Sequence, residues 1–122
     1  MIGIGTDIVE NERIRKALSE SFMKKVLSKE ELEKAHEFKN DRLIDFVAGR
    51  FAVKEAIIKC LSDYEVPVLT DLNITNNEKG KPEISYKNYK ILVSISHERN
   101  YSIAVASLEG FVEITINKSS DS

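Results

Sequence analysis

Residues 41–61 restrict the fold of this chain more than any other segment. The stretch is predicted to be one long helix, and at 100° per residue its apolar side chains spread around the whole cylinder. A helix of that kind is normally buried, so its charged side chains need protein partners, a ligand or an interface. Those side chains are Arg50, Lys54, Glu55 and Lys59.

The four charges point in two directions. Arg50 and Lys54 share one side of the helix, while Glu55 and Lys59 lie on another side, beside a stripe of alanines that leaves room for a ligand. Glu55 and Lys59 also have the i, i+4 spacing of an ion pair, which stabilises a helix by about 0.2–0.5 kcal/mol. The segment alone is therefore consistent with a salt-bridged structural helix or with an active site.

The N-terminal segment "IGIGTDI" alternates like a β-strand, with Gly3, Gly5 and Asp7 on one side. Asp7 has two interpretations. It either caps the following helix, with Glu10 completing a capping box, or it is an acid on a glycine face that a ligand can approach. Asp7 and Glu55 together would suit Mg²⁺, which takes one or two protein carboxylates plus substrate phosphates. Further phosphate charge would be held by Arg50, Lys54, Lys59 and Lys81.

The rest of the chain predicts the α+β class. Before the long helix the pattern is helical, with Ser28 and Glu31 forming a capping box; after it the pattern changes to period 2. The predicted helices before the long one cover residues 9–19, 21–27 and a segment that starts at Ser28. The predicted strands cover 69–75, 90–97, 101–108 and 111–117, with a turn at 76–83 and a hairpin loop at 98–100. We expect one domain, 1–117, and a flexible tail, 118–122.

Composition excludes several classes of protein. The chain has 122 residues, 42% hydrophobic and 31% charged, which is typical of a soluble globular domain. Its single cysteine, Cys60, excludes an internal disulfide framework and a cysteine zinc cluster. The start lacks the features of a signal peptide, and the apolar runs are shorter than the roughly 18 residues that span a bilayer. We therefore expect a cytoplasmic protein.

A basic segment stands out in a chain whose net charge is −2. Residues 13–29 contain six lysines and arginines and one acid, Glu20. This local charge favours docking of an acidic partner, although a solvated helix face would have the same pattern. The negative net charge argues against general affinity for nucleic acid.

Two smaller features are ambiguous by themselves. His97 ends a predicted strand, where a lone histidine is more often structural than functional, and Gly80-Lys81-Pro82 is an ordinary turn sequence. The "GIGTDI" segment is not a dinucleotide fingerprint, because Ile8 stands where the third glycine is needed. The chain also lacks the G-x-S-x-G elbow of serine hydrolases.

Taken together, these segments resemble one family along nearly the whole chain. "GIGTDIVENERI" is similar to the N-terminal signature of the holo-acyl-carrier-protein synthases, the small 4′-phosphopantetheinyl transferases. "FVAGRFAVKEAIIKC" resembles their central helix, whose core is R-F-x-x-K-E-A. "NEKGKP" and "SISHERNYSIAVA" match the later turn and hairpin, in family order and spacing. At Asn11 the family usually has an aliphatic residue.

The resemblance implies a fold, a reaction and a set of partners. The fold would be that of the 4′-phosphopantetheinyl transferases, an N-terminal strand and helices, one of them long and central, packed on an antiparallel sheet. The reaction would be transfer of phosphopantetheine from coenzyme A to a serine of apo-acyl carrier protein, a step of fatty acid biosynthesis that leaves adenosine 3′,5′-bisphosphate. The family members are trimers with active sites between subunits. The alternative is a non-catalytic module that binds an acidic protein or RNA through residues 13–29.

The resemblance also assigns residues. Asp7 and Glu55 would bind Mg²⁺, and the catalytic group would be Glu55, Lys59 and His97. The residues expected to contact coenzyme A are Arg50, Lys54, Lys59, Gly80, Lys81, Pro82 and His97. The residues expected to dock the carrier protein are Arg13, Arg15, Lys16 and Lys24. Glu55, directly or through a metal-bound water, is the candidate that we prefer for the base.

Overall fold

A computed structural model describes residues 1–113, and these residues form an antiparallel sheet with a long helix across one face. The strands are β1 (Gly3–Glu10), β2 (Ile74–Asn76), β3 (Pro82–Ile84), β4 (Tyr89–His97) and β5 (Tyr101–Phe111). The helices are α1 (Asn11–Ala17), α2 (Glu20–Val26), α3 (Lys29–Ala35) and α4 (Asn40–Cys60), with a 3₁₀ turn at Leu69–Asp71. The predicted α+β class is confirmed.

The main sheet has the strand order β1-β5-β4 within the described residues. Strands β4 and β5 form the predicted hairpin, and β1 pairs with the other edge of β5. Strands β2 and β3 make a separate two-stranded hairpin. The first strand of the chain therefore lies beside the last described one, and both carry their inward side chains toward α4.

Helix α4 packs unusually close to β1, because both surfaces are built from small residues. A Cβ on Gly5 would collide with the carbonyl oxygen of Ala56, and one on Gly3 with that of Cys60. Ala52 and Ala56 are fully buried in this contact region of α4. Ala48 and Ala52, the alanines that were expected to leave room for a ligand, have no exposed surface.

The opposite face of the main sheet carries apolar side chains that the described residues leave exposed. We call it the outer face; it includes Ile4, Ile8, Leu92, Ile103 and Val105. Strand pairing sets Ile8 beside Ile103 and joins Ile4 and Leu92 across Ser107, so the residues form one continuous surface. A continuous exposed apolar surface is typical of an interaction site.

A buried carboxylate joins α3 and β2 to the other side of α4. Glu31 is 2% exposed, and its Oε1 accepts from the Ser28 amide at 2.8 Å in the predicted capping box, while Oε2 accepts from the Ile74 amide at 2.9 Å. Oε1 also pairs with Nζ of Lys54, which is fully buried. Lys54 Nζ donates further to the carbonyls of Val26 at 2.8 Å and Leu69 at 3.1 Å.

Several predicted boundaries differ from the structure, and part of the predicted turn 76–83, at Pro82 and Glu83, lies in β3. Strand β1 continues to Glu10 because its backbone pairs with β5 up to Tyr101, so Val9 is not helical and Asp7 is not a helix cap. Residues 69–75 form the 3₁₀ turn and the start of β2 instead of one strand. Of the predicted strand 111–117, Phe111 ends β5 and Val112 and Glu113 are not in a strand; the remainder and the predicted tail lie outside the described residues.

Cys60 is buried, as expected, and burial raises the pKa of its thiol to about 11. None of the helices in residues 1–113 combines the length and the apolarity that a membrane crossing requires.

We expect Lys54→Met to lower the free energy of unfolding by about 3–5 kcal/mol, because it leaves the Glu31 carboxylate buried without its ammonium partner. Urea unfolding, monitored by circular dichroism, measures the change in the free energy of unfolding. The double variant Glu31→Gln/Lys54→Met removes both charges and should lose less than Lys54→Met alone. Lys87→Met, which breaks the exposed pair with Glu65, should remain near wild type. A Lys54→Met variant as stable as wild type would contradict the role of this pair.

Candidate active site

The contact between α4 and β1 brings together two of the predicted site residues, Asp7 and Lys59, with a third nearby on the helix. Lys59 Nζ donates to the Thr6 carbonyl at 2.8 Å and lies 3.3 Å from Oδ1 of Asp7. The Asp7 side chain is 18% exposed and that of Lys59 is 55% exposed, so the pair opens to solvent. Glu55 lies one helical turn before Lys59 and is half-buried. We call Asp7, Glu55 and Lys59 the α4–β1 seam.

The seam answers the question that the i, i+4 spacing left open. The ion pair that Lys59 forms is with Asp7 on the neighbouring strand, whereas the i, i+4 spacing had offered Glu55 on the same helix as one possible partner. A pair between elements fixes the Asp7 side chain against α4, on the side of the helix that also carries Glu55. Two carboxylates and one ammonium then share a solvent-facing edge of the contact.

The donor set of the seam fits a hard divalent cation only in part. Among the described residues, no group of three or more histidine, cysteine or acidic side chains could hold a metal ion by itself. Two carboxylates with a solvent opening match Mg²⁺, which keeps several waters and takes further oxygens from substrate phosphates. The Lys59 ammonium beside Asp7 indicates that this carboxylate already attracts a cation.

Arg50 lies on the other side of α4, next to the β2–β3 hairpin. Its Nη2 donates to Oδ1 of Asn76 at 2.7 Å, and Asn76 Nδ2 donates to the Gly80 carbonyl at 2.8 Å. Asn76 thus links Arg50 to the turn that the sequence assigned to coenzyme A. Arg50 lines a cavity of about 250 Å³, its guanidinium stacks over Phe46 at 4.6 Å, and burial lowers its pKa.

Lys54 is part of the core. Its side chain has no exposed surface, and its Nζ has Glu31 and two backbone carbonyls as partners. Burial lowers the pKa of Lys54, against the opposing effect of the Glu31 carboxylate. The expectation that Lys54 contacts coenzyme A is corrected here, and the structural alternative is favoured.

His97 stands at the end of β4, where its ring approaches α4. Its Nδ1 is 3.0 Å from Oγ of Ser102, and a Cβ on Gly49 would lie 3.1 Å from its Nε2. The ring lines a cavity of about 790 Å³ that is rich in acids. The charged residues around this cavity are Glu10, Glu12, Arg15, Asp41, Asp45, Glu98 and Arg99.

Asp7 and His97 do not meet within one chain. Both lie on the face of the sheet that packs on α4, but the register places Asp7 opposite Ala104 and Ile95, one row before His97. Two strand spacings separate β1 from β4, so the backbones at the two residues are about 10 Å or more apart. The predicted site residues therefore form two groups in the described chain.

The basic segment divides between two surfaces. Arg13 and Lys16 border a groove of about 390 Å³ whose floor includes Phe22 and Phe51. Arg15 points elsewhere, with Nη2 2.7 Å from Asp41 and its guanidinium at the cavity beside His97. Lys24 is exposed on α2.

The sequence interpretation missed several residues that hold the site in place. Asn11 and Ser102 are buried behind His97, Asn76 connects Arg50 to its turn, and Glu31 anchors Lys54. The sequence offered one signal for these residues. Asn11 is a polar residue in the first helix at a position where the family usually has an aliphatic one.

Comparison with known proteins identifies relatives along most of the chain. The model of the 4′-phosphopantetheinyl transferase superfamily matches residues 3–106. A holo-[acyl-carrier-protein] synthase of Bacillus cereus is 44% identical over 115 residues, which are 89% of this chain and 96% of the relative. One of Staphylococcus haemolyticus is 38% identical, covering 88% of this chain and 95% of the relative.

A solved structure has the same architecture. The crystal structure of a holo-(acyl-carrier-protein) synthase from Bacillus anthracis, in complex with CoA (3′,5′-ADP), superimposes with a TM-score of 0.80. It is 35% identical in sequence, and the match covers 88% of this chain and 95% of that one.

Proposed function

This chain belongs to the 4′-phosphopantetheinyl transferase superfamily and is an enzyme of that class, and we propose that it transfers 4′-phosphopantetheine from coenzyme A to a serine of apo-acyl carrier protein. The observation that carries the proposal is the α4–β1 seam, where Asp7, Glu55 and Lys59 share one solvent-facing edge. The names of the relatives and the CoA complex of the Bacillus anthracis protein support both substrates.

The proposed reaction breaks the phosphoanhydride bond of coenzyme A and forms a phosphoester bond to serine. The serine oxygen of the carrier protein bonds to the phosphorus that bears pantetheine, the bond from that phosphorus to the bridging oxygen breaks, and adenosine 3′,5′-bisphosphate leaves. The serine proton passes to a base, for which Glu55 is our candidate, directly or through a water molecule. Lys59 stabilises or protonates the leaving phosphate, and catalysis rests mainly on positioning and charge neutralisation.

Asp7 and Glu55 are the proposed Mg²⁺ ligands. When bound, the metal ion would neutralise charge that develops on the pyrophosphate oxygens. Lys59 would then exchange its contact with Asp7 for a phosphate oxygen, which its exposed and flexible side chain allows. This arrangement gives each of the three seam residues a distinct function.

The remaining contacts of coenzyme A are proposed along α4 and the β2–β3 turn. Arg50, linked through Asn76 to the Gly80 carbonyl, would face phosphate beside the turn of Gly80, Lys81 and Pro82. His97 would contact coenzyme A from the end of β4. For the carrier protein, the basic rim of Arg13 and Lys16 over an apolar floor fits an acidic amphipathic helix. Lys24 and Arg15 are also proposed to contact the carrier protein, Arg15 from the cavity beside His97.

We further propose a homotrimer whose active sites lie between subunits. Packing of the outer face against a second copy would cover its exposed isoleucines. A neighbouring subunit could then bring its His97 to the Asp7 of the first. The separation of these two residues within one chain supports the idea.

We also propose one domain over residues 1–117, a role in fatty acid biosynthesis and a cytoplasmic location. The buried free thiol at Cys60 favours the cytoplasmic location.

The direct test is the intact mass of an apo-acyl carrier protein after incubation with coenzyme A. We expect a gain of one phosphopantetheine with Mg²⁺ and no gain when the metal is removed with EDTA. Asp7→Ala and Glu55→Ala should lower turnover by about 100-fold or more while leaving the fold intact, since loss of even an outer-shell metal contact costs 10–100-fold. Glu33→Ala removes an exposed carboxylate of α3 and should keep wild-type turnover.

Two results would contradict the proposal. One is an unchanged carrier mass with several apo-carrier proteins in the presence of Mg²⁺. The other is full activity of Asp7→Ala or Glu55→Ala, which would refute the assignment of that carboxylate as a metal ligand.

The oligomer has its own test in sedimentation velocity. Wild-type protein should sediment with three times the mass of one chain, and Ile4→Asp should dissociate it, because a charge on the outer face cannot be buried without a partner. Val66→Asp, at a valine that is 75% exposed and outside the outer face, is the matched control and should remain trimeric. A monomeric wild-type protein would show that the outer face is not a subunit interface.

A further inference from the structure

Three polar side chains form a connected chain behind the ring of His97. Ser102 is completely buried and Asn11 is 6% exposed, although both are polar and lie against the apolar core. Ser102 Oγ is 2.8 Å from Oδ1 of Asn11 and 3.0 Å from Nδ1 of His97. We call Asn11, Ser102 and His97 the His97 network. Its hydrogen atoms can be assigned by elimination, starting from the end that is most constrained.

The amide of Asn11 can lie in only one orientation. Its Nδ2 is 3.2 Å from two backbone carbonyl oxygens, those of Glu98 and Arg99 in the hairpin loop. Carbonyl oxygens only accept hydrogen bonds, so the atom that faces them must be the NH₂ group with its two donors. The carbonyl oxygen of the amide, Oδ1, therefore faces Ser102 and can only accept.

The direction of the second hydrogen bond follows from the first. A serine hydroxyl has one hydrogen atom, and that of Ser102 is required by Oδ1 of Asn11. Toward His97 the oxygen of Ser102 has only lone pairs left, so Nδ1 of His97 must donate. The proton of the neutral imidazole is consequently on Nδ1, and Nε2 carries the free lone pair.

We propose that Asn11 and Ser102 are positioning residues that hold neutral His97 in its Nδ1–H tautomer, with Nε2 as the acceptor presented to substrate. Nε2 approaches α4 at Gly49, where a larger side chain would crowd it. The tautomer follows from the hydrogen bonds alone, and its use in catalysis rests on the proposed function.

The direction of these hydrogen bonds leaves Nε2 of His97 free to exchange a proton. Nδ1 donates to Ser102 whether the ring is neutral or protonated, so Nε2 can gain or lose a proton while the buried hydrogen bonds stay unchanged. Ser102 itself cannot serve as a nucleophile activated by His97, because it is fully buried and its hydrogen atom is committed to Asn11. The direction of the Ser–His hydrogen bond is thus opposite to that of a catalytic serine.

Long-range ¹H–¹⁵N spectra of the full-length protein distinguish the two tautomers, since a protonated and an unprotonated ring nitrogen resonate far apart. The chain has two histidines, and His36 is an internal reference: its Nε2 lies 2.7 Å from a Glu20 carboxylate oxygen, which requires an Nε2–H donor. We expect His97 with its proton on Nδ1 and His36 with its proton on Nε2, in one spectrum. His36→Gln assigns the signals.

The spectrum must be recorded with both rings neutral. Acids and arginines surround His97, namely Glu10, Glu12, Arg15, Asp41, Asp45, Glu98 and Arg99. The pH is therefore raised above the ordinary imidazole pKa of about 6.5 until the ring signals stop moving. His97 with its proton on Nε2 in the wild-type protein would overturn the proposal, and this result needs no variant and no enzymatic activity.

Variants then test each link and its use. Ser102→Ala and Asn11→Leu should both move His97 toward the Nε2–H tautomer, the second without altering any atom that touches the ring. In the carrier-protein assay, Ser102→Ala should lower kcat about fivefold, the worth of one hydrogen bond, with little change in KM for coenzyme A. Ser102→Thr, which keeps the hydroxyl, should restore the tautomer and most of kcat.

The outcomes separate this proposal from the proposed function. A shifted tautomer with unchanged kcat in Ser102→Ala would refute the positioning role of the network. An Asn11→Leu variant that keeps the wild-type tautomer would refute the part assigned to Asn11. Absence of transferase activity in the wild type, together with the expected spectrum, would refute the proposed function and the catalytic use of Nε2 while leaving the tautomer in place.

Discussion

The rest of the structure depends on the close packing of the glycine face of β1 against the alanines of α4. Because neither surface has bulk at Gly3, Gly5 and Ala56, the strand and helix backbones come nearly into contact. Asp7, two residues after Gly5, is the first residue on that face with a large side chain. It therefore lies against α4 and contacts Lys59. A larger residue in the glycine series would separate the elements that form the seam.

Helix α4 uses its charges differently on its two sides. On one side Lys54 is fully buried and bound to Glu31, a carboxylate that also holds the starts of α3 and β2. On the other side Glu55 and Lys59 open to solvent beside Asp7. The buried pair fixes the helix, and a helix held that firmly can present the second group of charges in a constant position.

The extent to which the sequence predicted this structure varied with the range of the interaction. Local patterns were sufficient for α4, for the capping box of Ser28 and for the β4–β5 hairpin. The end of β1 was not predicted, because its pairing with β5 is formed by residues about 100 positions away. Lys54 could not be assigned either, since its partner Glu31 already had a sufficient local explanation as a cap, and burial of both depends on tertiary packing.

The proposed metal site needs both Asp7 and Glu55 as ligands of one ion at the seam. Titration with Mn²⁺ in the presence of coenzyme A, followed by the electron paramagnetic resonance signal of the free ion, tests it without relying on turnover. We expect one bound Mn²⁺ per chain in the wild type and at least tenfold weaker binding in both Asp7→Asn and Glu55→Gln. Asp63→Asn, which changes an exposed acid, should bind as the wild type does. Wild-type affinity in both seam variants would contradict it.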